Sequence, residues 1–137
     1  MPGDTAIFVL CGLGDRCAIR GGKPSPERSQ LLRRESFELG LYALKCNERT
    51  ASVLVFQPPK PGEDPTLALL VRRDGVRPHL SRPVTDTLPS RPPRPKALAK
   101  DRKQSTRIVN LTSTSLFAFS FQRLPDGTPV VVLDEPA

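Results

Sequence analysis

The sequence predicts a mainly β protein: a small sandwich or barrel of hairpins with one short helix, interrupted by a basic, proline-rich, disordered segment. Three observations lead there. Short apolar runs recur, one of them with two-residue alternation. Turn-forming clusters separate them. The chain also holds 16 prolines, well above the usual share of about 5%. A length of 137 residues fits a single domain over 1–137, since domains commonly run about 100–200 residues. Hydrophobic residues make up 37%. That is below the roughly 45–50% of an average soluble domain, so the core is smaller than the chain.

Ala6 to Leu10 reads as a first strand. Gly12-Leu13-Gly14-Asp15-Arg16-Cys17 then has two of the three glycines of a dinucleotide-binding loop. Cys17 replaces the third, and Gly21, Gly22, Pro24 and Pro26 disfavour the helix that should follow. A glycine turn closing a strand is the simpler account. Ser25-Pro26-Glu27 ahead of Ser29 to Arg34 predicts the short helix, with a capping serine, proline at the first position, an early acid and late bases.

Phe37, Leu39, Leu41 and Ala43 alternate with Glu38, Gly40 and Tyr42, the pattern of a half-buried strand. Asn47 to Thr50 offers a turn. Ala51 to Phe56 is a buried strand, ended by four prolines and a glycine over Pro58 to Pro65. Thr66 to Val71 is another apolar run. Asp74-Gly75 is a hairpin signal, with Val76 to Leu80 as a return strand that Pro78 confines to an edge. Ile108 to Phe121 has extended character, with Phe117, Phe119 and Phe121 together facing the core. Pro125-Asp126-Gly127-Thr128 supplies a turn, and Pro129 to Leu133 pairs back as the last strand.

Charge is concentrated. The chain carries +7 overall, yet Arg72 to Arg107 holds eleven basic residues against Asp74, Asp86 and Asp101, a local +8. Apolar residues are sparse over 81–106, so burial cannot offset the entropy of ordering it. This stretch is expected to be disordered or mobile. Fifteen of the basic residues are arginine, whose planar fork suits phosphate and carboxylate, although a G+C-rich gene also raises arginine content.

Within that stretch lie the candidate binding residues. Pro89 and Pro92 stand three apart, the repeat of a polyproline II helix, with Pro93 next and Arg94 two residues beyond. SH3-type recognition uses such prolines in aromatic-lined grooves and the arginine in an acidic pocket. Arg94, Lys96, Lys100, Arg102 and Lys103 form a basic cluster. It reads as a contact for an acidic protein partner, as a nuclear import signal, as a phosphate-backbone contact, or as a solubilising linker. No aromatic residue lies between Phe56 and Phe117, so base stacking is not available and nucleic-acid binding would be non-specific. Ser36, after Arg33-Arg34-Glu35, and Ser25, before Pro26, are phosphorylation candidates.

Other chemistry has little support. Cys11, Cys17 and Cys46 are an odd number, which argues against a closed disulfide framework. Their spacing, with His79 distant, does not match paired zinc ligands, and buried structural cysteines are the default. No metal and no cofactor is expected. His79 is the single histidine, and a Cys46–His79 or Ser–His pair would have to form through the fold. No apolar run reaches the ~18–20 residues of a membrane span, and no basic region precedes the apolar start as in a signal peptide. The chain is expected inside the cell, nuclear or cytoplasmic, where the Asn110-Leu111-Thr112 sequon would be silent. The expected function is a non-enzymatic interaction or adaptor module acting through its basic segment. The first alternative is a nucleic-acid-associated protein, and the second a small enzyme.

Overall fold

The computed structural model describes residues 3–11, 25–59, 66–89 and 91–135. The glycine loop around Gly12 to Cys17 lies outside them. The chain runs β1 (Asp4–Val9), α1 (Pro26–Cys46), β2 (Thr50–Phe56), β3 (Leu67–Arg72), α2 (Arg73–Leu80), α3 (Val84–Thr87), α4 (Pro95–Lys100), α5 (Arg102–Thr112), β4 (Leu116–Arg123) and β5 (Pro129–Asp134). The five strands form one sheet in chain order, β1-β2-β3-β4-β5. β1 and β2 are parallel, with α1 as the crossover that parallel strands require. The remaining pairs are antiparallel. Helices hold 44% of the described residues and strands 29%. The protein is therefore mixed α/β, a half-barrel sheet with helices, and not mainly β.

Three segments account for the correction. The predicted short helix and the strand after it are one 21-residue helix, α1. Ser25 caps it, its hydroxyl accepting from the Arg28 amide at 3.2 Å, and Pro26 sits in the first turn. Phe37, Leu41 and Leu44 are buried, spaced four and three apart, which places them on one helical face. The alternation of Phe37, Leu39, Leu41 and Ala43 fits a strand equally well on paper. Gly40, placed by that alternation on the outward side of a strand, is instead a contact point. A Cβ there would lie 2.8 Å from Val71 Cγ2, so its absence lets α1 approach β3.

The second segment is Asp74-Gly75, which turns no hairpin. A primed turn there needs positive φ, and among the described glycines only Gly3 and Gly127 have it. β3 passes directly into α2 instead, and Val76 to Leu80 are helical. The third is Ile108 to Phe121, which divides into the end of α5, a turn and β4. The stretch 81–106 contains α3, α4 and the start of α5, and buries Val84, Leu88 and Leu98. The strands over 6–10, 51–56 and 66–71 and the C-terminal hairpin stand where the sequence places them. Gly127, at φ 86°, completes that hairpin's turn.

The sheet has two unlike faces. On the first, Val53, Val55, Leu69 and Val71 pack against Phe37, Leu41 and Leu44 of α1, with Val76 and Val84 behind. On the second, Leu54, Phe56, Ala68 and Leu70 cluster with Phe117, Phe119 and Leu133. The Phe56 and Phe119 rings stand 4.7 Å apart. Phe121 shares that face but is 71% exposed, so the phenylalanine row is only partly a core element. Arg73 locks the end of α1 to the sheet. Its guanidinium donates to the carbonyls of Leu44 (2.7 Å), Asn47 (2.9 Å) and Thr50 (3.0 Å). A cation at a helix C-terminus also complements the helix dipole.

Candidate functional site

The basic segment is held to α1 by a few buried groups. Leu98 of α4 and Ile108 of α5 are buried. Arg33 Nε donates to Thr112 Oγ1 at 2.8 Å, and Ser105 Oγ donates to Gln30 Oε1 at 2.7 Å. Arg34, itself buried, pairs with Glu38 at 2.9 Å and donates to the Pro89 carbonyl. That last bond ties down the first proline of the motif.

Pro89 and Pro92 are exposed, Pro93 is partly so, and Ser90 between them lies outside the described residues. Arg94 is exposed and caps α4 with φ −72° and ψ 154°, polyproline II values. Pro95 then begins the helix, where its missing N–H costs nothing. The two prolines and Arg94 thus share one connector ending at α4.

Lys96 and Lys100 lie four apart on α4, and Lys103 and Arg107 four apart on α5, so each pair occupies one helical face. Arg94, Lys96, Lys100, Arg102 and Lys103 are all exposed. Among the described residues the ion pairs are Arg34–Glu38 and Arg77–Asp74, so none of these five cations is ion-paired. The acid within the cluster, Asp101, is committed locally, its carboxylate accepting from the Gln104 amide at 3.1 Å to cap α5. The surface therefore stays strongly cationic, with Asp101 as the one acid within the cluster.

The phosphorylation candidates differ. Ser25 is partly exposed, and its hydroxyl caps α1. Ser36 is fully buried, donating to the Leu32 carbonyl and accepting from Gln57 Nε2. Its sequence pattern is right, but the fold withholds it from a kinase. The cysteines also depart from the buried default. Cys46 is free and exposed, Cys11 is disulfide-bonded, and Cys17 lies outside the described residues.

A second feature was not visible in the sequence. β3 pairs with β4 over Leu67 to Leu69, and the Leu70 amide still donates to the Ser115 carbonyl at 2.8 Å. Beyond that point β3 runs into α2, and the turn after α5 leads into β4. Between these two helices lies a cleft of about 380 Å³. Phe37, Leu70, Val76, Leu111 and Phe117 supply its apolar walls. Arg72, His79, Asn110, Thr114 and Ser115 supply its polar ones.

His79 has a defined state. Its Nδ1 lies 3.3 Å from Arg82 Nη2 and 3.1 Å from Thr87 Oγ1. A guanidinium only donates, so Nδ1 is the acceptor and the proton sits on Nε2. Burial first, then the charges of Arg82 and Arg107, lower its pKa from the ordinary 6.5. Its hydrogen-bond partners are these two, and neither Cys46 nor a serine is among them. Set against family models, curated proteins and solved structures, the chain matches none.

Proposed function

We propose that the chain is a non-enzymatic interaction module that docks an acidic protein surface through Arg94, Lys96, Lys100, Arg102 and Lys103. The observation that carries this reading is their exposure without any ion-pairing partner among the described residues. Such unpaired charge favours encounter with an oppositely charged surface. Pro89, Pro92, Pro93 and Arg94 add an SH3-type docking element beside it. Anchoring by Leu98 and Ile108 supports the reading, because it presents the cations from fixed helices rather than from a free tail.

The test uses the full chain against immobilised polyglutamate and a panel of SH3 domains. Replacing Arg91, Arg94, Lys96, Lys100, Arg102 and Lys103 with glutamine should leave the melting temperature nearly unchanged, since solvated charges contribute little to stability. The same variant should lose binding to its target. Binding equal to the parent overturns the proposal. Arg94→Ala alone separates the modes, because an SH3-type pocket depends on that one arginine.

A phosphate-backbone reading has its own support in the cation pairs on α4 and α5. It predicts a graded loss with each charge removed, and duplex DNA binding that falls steeply with salt, by about 0.9 in log slope per phosphate contacted. No described helix is long and apolar enough to cross a membrane. Nuclear or cytoplasmic residence is part of the proposal. The disulfide at Cys11 pulls the other way, since reducing compartments disfavour such bonds. Imaging of the tagged chain decides between them.

A further inference from the structure

We infer that the cleft between α2 and the end of α5 binds a small anionic amphipathic molecule, a compact ring or branched chain bearing one carboxylate. This site adjoins the cationic surface at Arg107 of α5 but does not rest on the docking reading. Its volume of about 380 Å³ lies at the small end of the roughly 300–1,000 Å³ typical of ligand pockets. Leu111 and Phe117, both half-buried, offer an apolar body its contact surface, whereas Phe37, Leu70 and Val76 are almost wholly buried and add little.

The rim suits an anion. Among the described residues, the side chains of Arg72, Asn110, Thr114 and Ser115 make no hydrogen bond or ion pair, and all four residues line this one cleft. The local field has the matching sign. Arg82 and Arg107 lie close enough to His79 to disfavour its protonation. The acid next along α2, Asp74, is engaged by Arg77 at 2.7 Å. The cleft's lining is more polar than apolar, which favours a compact charged ligand over a bulky apolar one. A guanidinium at the mouth is the side chain best shaped to hold a carboxylate through two parallel hydrogen bonds.

Gly75 makes the test clean. It lines the cleft, its φ is not left-handed, and a Cβ built on it meets nothing within 4 Å. Gly75→Leu therefore adds an apolar side chain beside the cleft with no clash at its Cβ. It also replaces a poor helix former with a good one, so α2 should be retained. The probe is 2-naphthoate, titrated into the full chain and followed by amide chemical shifts. Binding should perturb Gly75, Val76, Leu111 and Ser115. Gly75→Leu should keep the melting temperature of the parent or exceed it and abolish those shifts. Arg72→Gln should weaken affinity roughly tenfold or more, the scale of a lost charge-assisted hydrogen bond. The neutral isostere 2-naphthalenemethanol should bind weaker by a similar factor. Four results overturn the inference: no saturable binding, shifts confined to Phe119 and Phe121 or to α4, undiminished binding by Gly75→Leu, or equal affinity for the neutral isostere.

Discussion

The two faces of the sheet draw on the same strands and come to different ends. On the helical face, Val53, Val55, Leu69 and Val71 are each fully buried, because α1 lies across them and Gly40 lets it approach. On the other face, Leu54, Phe56 and Leu70 are buried more through one another and through the β4–β5 hairpin. The same face also carries Ile7, Val9 and Phe121, which are 59%, 71% and 71% exposed. The strand pattern sets which face a residue takes. How far it is buried depends on the layer above it, and that layer comes from elsewhere in the chain. A phenylalanine is worth most where a second element closes over it.

The sharpest way to break that contrast is Phe37→Ala. Phe37 is 2% exposed and packs within the helical-face cluster, so its loss should cost about 3–5 kcal/mol. Chemical denaturation reads this directly, and a cost below that of Phe119→Ala would invert the order of the two faces. Phe119 is half-buried against Phe56. Full burial of such a side chain contributes about 1.5–3 kcal/mol, so truncating it should cost about 1–2 kcal/mol. Phe121→Ala should fall within about 0.5 kcal/mol of the parent, as for other surface substitutions. A large loss at Phe121 would mean that another part of the chain or a second copy covers it.

His79 tests the rim of the helical face, where its ring stands edge-on to Phe37 at 6.1 Å. Its pKa is lowered in the fold from 6.5, so the unfolded chain binds the proton more readily. Its contribution to stability is complete above about pH 6.5. It declines as the pH falls toward the folded-state value. Glu35, raised by burial and by Glu38, acts in the opposite sense at more acid pH. The measurement is therefore a difference: the melting temperature of His79→Gln should fall less than that of the parent on acidification below 6.5. Equal slopes would show that the ring is as free to protonate in the fold as outside it.

The gentlest perturbation uses no substitution. α4 is six residues long and buries one residue, Leu98, whereas α1 buries Phe37, Leu41 and Leu44 among others. Limited trypsin digestion should therefore cut first at Lys96, Lys100, Arg102 or Lys103, ahead of Lys45 at the end of α1 or Arg49 in the turn that follows it, because local opening is easiest where few apolar contacts are lost. First cuts at Lys45 or Arg49 would reverse the ranking of the two regions.

What was legible in the sequence follows the same division. β2, β3 and the β4–β5 hairpin were readable because apolar runs and turn chemistry act over a few residues. The second half of α1 was not. Phe37, Leu41 and Leu44 satisfy the helical period while Phe37, Leu39, Leu41 and Ala43 satisfy the strand period, and Gly40 pointed the wrong way. The cap at Ser25 was the available signal that a helix starts there, but nothing local says how far it runs. The cationic surface was readable because unpaired charge stays in water by default. The cleft was not, because Arg72, His79, Asn110 and Ser115 come from four different segments and are brought together only where β3 runs into α2 and α5 leads into β4.

The order of strands in the sheet is the order of strands in the chain, and this bears on how quickly each pairing is reached. Arg123 opposite Pro129 closes a short loop, an event of microseconds for an isolated hairpin. Asp4 opposite Thr50 must wait for α1 to cross over, and Leu67 opposite Ala118 for four helices to be gathered in between. Long closures of this kind raise contact order and slow the search. The hairpin is thus able to exist well before the partner strand β3 is in place, with Phe119 and Phe121 already on one side of it. During that interval its open edge is the part of the molecule most prone to pairing with another chain.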